Sequence, residues 1–215
     1  MPFGFHRRGS AEPAKAAPAD APPGLAVGGR RNPARTGVPF DGLTEDWRLV
    51  GSMNLEGRLL DILNRREAIP IGDMAWSTLD ALEDLQPAPG LQKVDPYDLI
   101  VVLAGDRTLP ALDDAEKAAL RVHKVPYDVV VEVPPYRVVG TVFLHPGSEP
   151  ERLMDRSSDL FFPVTNAVVL AADARLGDGE VDVALVNRSY LRGVEQVDES
   201  VVASAREGRR VPPAS

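Results

Sequence analysis

Proton transfer and metal binding draw mostly on histidine, cysteine and clustered carboxylates, and the chain holds three histidines and no cysteine in 215 residues. His6, His123 and His145 stand too far apart for two imidazoles to share one face of a helix or strand, so no metal site is expected. His145 precedes Pro146, with Glu149 and Glu151 close behind, a pattern that reads as a solvated turn rather than an acid/base pair. Ser189 has no GxSxG elbow around it, and the GxxxxGKS phosphate loop is missing. Gly177 and Gly179 fall between two strand-like stretches, where no helix N-terminus follows to hold a phosphate. The expectation is no catalytic residue, no metal and no cofactor.

Charged pairs that recur are the remaining candidates. Arg58 and Asp61, and again Arg152 and Asp155, stand three apart in short helix-like stretches, a spacing that makes opposite charges neighbours. With Arg188, they form the candidate set for a ligand or partner. The plainer alternative is a surface ion pair that orients each helix and is worth little energetically.

These pairs lie inside two segments that read alike, and a search for internal repeats precedes any reading of fold. Trp47-Arg-Leu-Val-Gly-Ser-Met-Asn-Leu55 aligns without a gap on Tyr136-Arg-Val-Val-Gly-Thr-Val-Phe-Leu144. Apolar residues at the first, third, seventh and ninth positions have the period of a strand with one buried face. Gly51 and Gly140 fall on that face, where a missing side chain admits a close backbone crossing. Residues 57–64 and 151–158 follow as short helices, the second shorter or looser because it keeps fewer apolar positions. Next come 69–76 and 162–169, strands that open on Pro70 and Pro163, with Asp73 and Asn166 at matching places suited to a turn or bulge. Further strands are expected at 98–103, 127–133 and 181–186, and a helix at 113–123 with Asp113 as its N-cap.

The run Arg-Leu-x-Asp-x-Leu-Asn, an apolar-Pro-apolar strand and a later Val-Asn-basic strand together resemble an uncharacterised small bacterial domain of about half this length. Arg58, Leu59, Asp61, Leu63 and Asn64 carry the first motif. Arg152, Leu153 and Asp155 carry part of it again, and Val186-Asn187-Arg188 carries the last, from which Ala104-Gly105-Asp106 departs. The resemblance implies a repeated fold and no particular activity.

The fold class expected is α+β, mostly β: two tandem small curved sheets or partial barrels, each with a short helix after its first strand. A single continuous sheet is the alternative, because Val133-Pro134-Pro135 joins the two segments closely. The domains read as a basic arm over 1–42, a first repeat with a helical insertion over 43–133, a second repeat over 134–198 and a tail over 199–215. Residues 1–40 hold six Lys or Arg against two acids, with 8 Ala, 7 Pro and 6 Gly, a composition that predicts disorder. The rest carries 18 basic and 30 acidic side chains, so nucleic acid is not expected as a partner, except as a weaker alternative through the basic arm. No apolar run approaches the roughly 20 residues of a membrane span. The absence of cysteine suits a reducing compartment, and a cytoplasmic location is expected. These features point to a non-catalytic binding or scaffolding protein with a protein partner or self-association. The alternative is a small-ligand or nucleotide sensor with its site between the repeats.

Overall fold

The computed structural model describes residues 37–105, 108, 123–155, 159–171, 174–176 and 180–209. The basic arm to residue 36, most of the expected helix at 113–123 and the turn at Gly177–Gly179 lie outside the described residues. The chain runs β1 (Val38–Leu43), β2 (Trp47–Met53), α1 (Leu59–Asn64), β3 (Ile69–Pro70), β4 (Gly72–Thr78), β5 (Gln86–Pro87), β6 (Lys93–Val94) and β7 (Val101–Ala104). It continues through β8 (Val125–Val133), β9 (Tyr136–Leu144), β10 (Phe161–Ala171), β11 (Ala174–Arg175), β12 (Val181–Asn187), β13 (Gly193–Gln196) and α2 (Glu199–Arg206). Among the described residues three short 3-10 turns punctuate it, at Pro96–Asp98, Pro150–Met154 and Arg188–Tyr190.

Of the two arrangements expected, the two separate curved sheets give way to the alternative, one continuous 11-stranded antiparallel sheet in the order β13-β8-β9-β10-β12-β7-β1-β2-β4-β5 with β11 beside β10, although the Val133-Pro134-Pro135 join is only the β8–β9 turn and not what makes it continuous. The sheet does not close into a barrel. The reason lies in β7 and β12, which pair from Val101↔Val186 to Ala104↔Val183 and so fuse the halves. Their side chains alternate between two cores. Val101, Ala184 and Val186 meet the side chains of β8, β9 and β10, whereas Val102, Ala104, Val183 and Leu185 join Phe40, Leu49, Met53 and Met74. Val130, Val139 and Val168, on the outer face of the second half, are covered by Val202 and Ala205 of α2.

Strand β1 begins at Val38, inside the stretch assigned by composition to the arm, so α1 follows the second strand of its half and not the first. Pro39 and Gly42 disguise β1 as a loop, yet Phe40 and Leu43 are buried and β2 pairs with it along its full length. Pro39 is tolerated because β7 reaches only Asp41, Gly42 and Leu43 on the other side of β1.

The two halves share register as well as pattern. Leu43↔Arg48 and Phe40↔Gly51 in the first hairpin match Glu132↔Arg137 and Val129↔Gly140 in the other. Ser52↔Gly72 followed by Val50↔Ala75 matches Thr141↔Thr165 followed by Val139↔Val168, so each third strand carries one extra residue. That residue is Asp73 or Asn166, each at φ 49°, a left-handed conformation that Asp and Asn adopt more readily than other L residues. The bulge presses the backbone onto the facing glycine. A Cβ at Gly140 would stand 2.8 Å from Thr165 O, and one at Gly51 2.8 Å from Gly72 O. Ile69↔Val94 and Pro70↔Lys93 likewise match Phe162↔Val186 and Pro163↔Leu185.

Tyr136 ties the halves at depth. Its hydroxyl donates to Thr44 O at 2.6 Å, and burial, with Asp46 adding repulsion, raises the phenol above its ordinary 10.0. The unfolded chain releases this proton near pH 10 while the fold retains it, so the stability it confers is complete below that pH and is lost as pH rises beyond it.

Two substitutions test this framework by thermal unfolding. Gly140→Ala is expected to cost about 1–3 kcal/mol, because backbone, not a yielding side chain, blocks the new methyl group. Tyr136→Phe is expected to cost about 1–3 kcal/mol by leaving Thr44 O without its donor, and to flatten the loss of stability above pH 10.

Candidate functional site

The side chains capable of recognition gather where the turns meet. Asp95 and Asn187 each precede a 3-10 turn and accept a hydrogen bond from the backbone two residues on, Asp95 from Tyr97 N and Asn187 from Ser189 N, both at 2.9 Å. Such caps are what short Asx side chains do well, because the side-chain oxygen mimics a preceding carbonyl. Leu99 and Leu191 close the two turns with the same backbone bond, to Pro96 O and Arg188 O. The counterpart of Val186-Asn187 is therefore Val94-Asp95, and not the Ala104-Gly105 of the sequence comparison. The overlooked signal was Val-Asx followed by Leu four residues after the Asx, present as Val94-Asp95…Leu99 and Val186-Asn187…Leu191.

The two caps differ in what surrounds them. Asp95 is exposed, whereas Asn187 is fully buried and its amide donates to Leu99 O at 2.7 Å and Pro96 O at 3.2 Å. Asn187 thus caps its own turn and satisfies two carbonyls of the other one. An aspartate could do only the first. Tyr190 adds a bond across the same junction, from its hydroxyl to Tyr97 O at 2.9 Å. Burial first, then the charges of Asp98 and Glu45, raises the Tyr190 phenol, and burial beside Asp95 raises the Asp98 carboxyl.

Arg188 is the cation of this junction. Its guanidinium lies 4.8 Å from the centre of the Phe162 ring and donates from Nη1 to Leu153 O, while Nε is buried with no partner. Desolvation lowers its pKa and the charge of Asp159 opposes that shift. Tyr97 at 45% and Met154 at 44% exposure are the most exposed large apolar side chains described, and both belong to turns that bond to the Arg188–Tyr190 segment.

Of the five residues singled out by sequence, the structure brings three to this junction. Arg152 and Asp155 are exposed on and just after the second 3-10 turn, whose Leu153 O receives Arg188. Arg58 and Asp61 are exposed at the start of α1, which packs on β10 instead. Among the described residues neither Arg58 with Asp61 nor Arg152 with Asp155 forms an ion pair. Arginines that do include Arg206 with Glu180 and Arg209 with Glu207 near the C-terminal helix, and, in the sheet, Arg48, held by Asp41 at 2.9 Å and raised in pKa chiefly by that bond, and Arg137, held by Glu132 at 2.7 Å. The latter two occupy matching places after Trp47 and Tyr136 and brace their hairpins. Trp47 and Trp76 pack edge to face at 4.5 Å and Phe161 is buried, so these aromatics serve packing. Phe161 N and O are in turn bonded by the Asn64 amide, which acts as a one-residue strand neighbour.

Among the described residues no group of three His, Asp or Glu is placed to hold a metal ion, and no helix is long and apolar enough to cross a membrane. Comparison of the chain with protein-family models, curated proteins and solved structures finds no match.

The dual role of Asn187 makes a sharp comparison. Asn187→Asp keeps the cap but turns a carboxylate onto two carbonyls, and is expected to cost about 3 kcal/mol or more in denaturant unfolding. Asp95→Asn, which alters an exposed cap with one duty, is expected to change stability by less than about 0.5 kcal/mol.

Proposed function

We propose that the protein is a non-catalytic binding or scaffolding protein, cytoplasmic, built from two diverged copies of one strand-rich unit, and that a protein partner docks on the turns gathered at the seam between the copies. Shared register through both hairpins, both bulges and both capped turns supports descent of the halves from one unit of the resembled bacterial kind. The observation that carries the docking site is Arg188, half-buried over Phe162 with Nε unspent, beside the exposed Tyr97 and Met154. Arginine and tyrosine recur at the energetic centres of protein interfaces, and methionine adapts to irregular partner surfaces. The guanidinium edge suits a carbonyl or carboxylate of the partner, and Arg152 stands nearby for the rim. Other polar side chains hold backbone, Asn64 on Phe161, Asn187 on Pro96 and Leu99, and Tyr136 on Thr44; the indole Nε1 of Trp47 is also buried without a partner, but it lies in the first half, where Trp47 packs on Trp76.

Affinity capture from source-cell lysate with the full chain, nuclease-treated, tests this against a Tyr97→Ala, Met154→Ala variant. Both side chains are exposed, so the variant is expected to keep its melting temperature within a few degrees and to lose a partner's affinity by at least tenfold. A partner captured equally by both forms would place the interface elsewhere. A shortened control should begin at residue 37, because starting at 41 would remove Val38, Pro39 and Phe40 from β1.

A further inference from the structure

Within the chain, the first half ends in β7 and lends that strand to the open edge of β12. Resting on the reading that the halves are copies, the same junction can be written for two separate molecules. The counterpart of β12 is β6, whose one strand partner among the described residues is β3. The counterpart of β7 is β13: Ile100 N bonds to Leu43 O as Arg192 N bonds to Glu132 O, and Val102↔Gly42 matches Val194↔Val131. The edge of β6 is therefore shaped for β13 of a second copy.

The residues on that edge oppose the match. In the internal junction Leu185 faces Val102, both are buried, and Asn187 donates to the carbonyls of the neighbouring turn. At the places of Leu185 and Asn187 the free edge carries Lys93 and Asp95. In an intermolecular copy of the junction, Lys93 would be buried opposite the second molecule's Val194. Asp95 would direct a carboxylate, with nothing to donate, at the counterparts of the Pro96 and Leu99 carbonyls. Each is an unpaired buried charge, and an edge lysine is a common guard against strand addition. The second 3-10 turn lies against β13, whereas its counterpart α1 lies against β10 of the other half, so a second copy can pair with β13 only if this turn moves aside.

We propose that the β6 and β13 edges are the two sides of a self-association surface for second copies of this chain, and that Lys93 and Asp95 hold it shut. The contact joins unlike edges, so once opened it adds chains head to tail without closing. Both residues are exposed, and Asn at position 95 keeps the acceptor that Tyr97 N needs, so the Lys93→Leu, Asp95→Asn variant should fold as the parent does.

The native chain has no cysteine, so a single introduced pair reports the contact. Gln92→Cys with Glu195→Cys places one thiol on each edge, at the counterparts of Ala184 and Leu103, which face each other inside the chain. On mild oxidation, the Lys93→Leu, Asp95→Asn background is expected to give a ladder of linked chains on a non-reducing gel, at least tenfold stronger than the Lys93, Asp95 background. Sedimentation of the same variant without cysteines should show mass rising with concentration. A folded variant that stays a single chain and gives no ladder overturns the proposal, as does a ladder of equal strength in both backgrounds. The Asn187→Asp chain separates the two levels of inference. If it unfolds as easily as the parent, the donor at position 187 is not what the junction needs and the guard assigned to Asp95 falls; if it is destabilised while no ladder forms, that need stands and the guarded edge alone is wrong.

Discussion

The pairing of β7 with β12 is the constraint on which the remaining structure hangs. A strand covered on both faces has no solvated side, so its backbone must find ladder partners on both edges. For β7 these are β1 and β12, and for β12 they are β7 and β10. The first half and the second half each supply one of the two strands. Neither core is complete alone, because Val102 and Leu185 line one while Val101 and Val186 line the other. Single-sheet architecture follows from this sharing.

At the end of that pairing, hydrogen bonds no longer come from a ladder and must come from side chains. Asn187, Asn64 and Tyr136 fill this role with different chemistry: an amide can both donate and accept, a phenol here only donates. The contrast of Asp95 with Asn187 shows environment choosing between near-isosteric side chains. Where only a backbone N–H needs an acceptor, a carboxylate serves; where carbonyls also need a donor, only the amide does.

Much of the sheet was legible because strands with one buried face carry a period of two. The alignment of residues 47–55 with 136–144 located β2 and β9 in matching register, Asp73 and Asn166 marked the two bulges, and Gly51 and Gly140 marked the close approach of backbone beside them. Other features were hidden for identifiable reasons. Strand β1 contains proline and glycine and adjoins an arm of the same composition, so composition outweighed the burial of Phe40 and Leu43. A continuous sheet stood only as an alternative, argued from the wrong join, because the strands that make it continuous, β7 and residues 183–186 of β12, are apolar on both faces and show no alternation to say which neighbour each face meets. The junction of turns escaped too, because Asp95-Pro96-Tyr97 forms through backbone bonds that a motif built on Val-Asn-basic does not capture. Recurrence drew attention to Arg58 and Arg152; what distinguishes Arg188 is the set of segments that converge on it.

The sharing of cores also sets an order of events during synthesis. Strand β7 leaves the ribosome about eighty residues before the β12 segment that must cover its edge. At ordinary elongation rates of about 5–20 residues per second, that interval is roughly 4–16 s. Throughout it the Val101–Ala104 strand, apolar on both sides, stands beside a half-built core with one edge unpaired. The nascent first half is thus a natural client for a chaperone that shields extended apolar segments, and slow codons between the halves would lengthen its exposure.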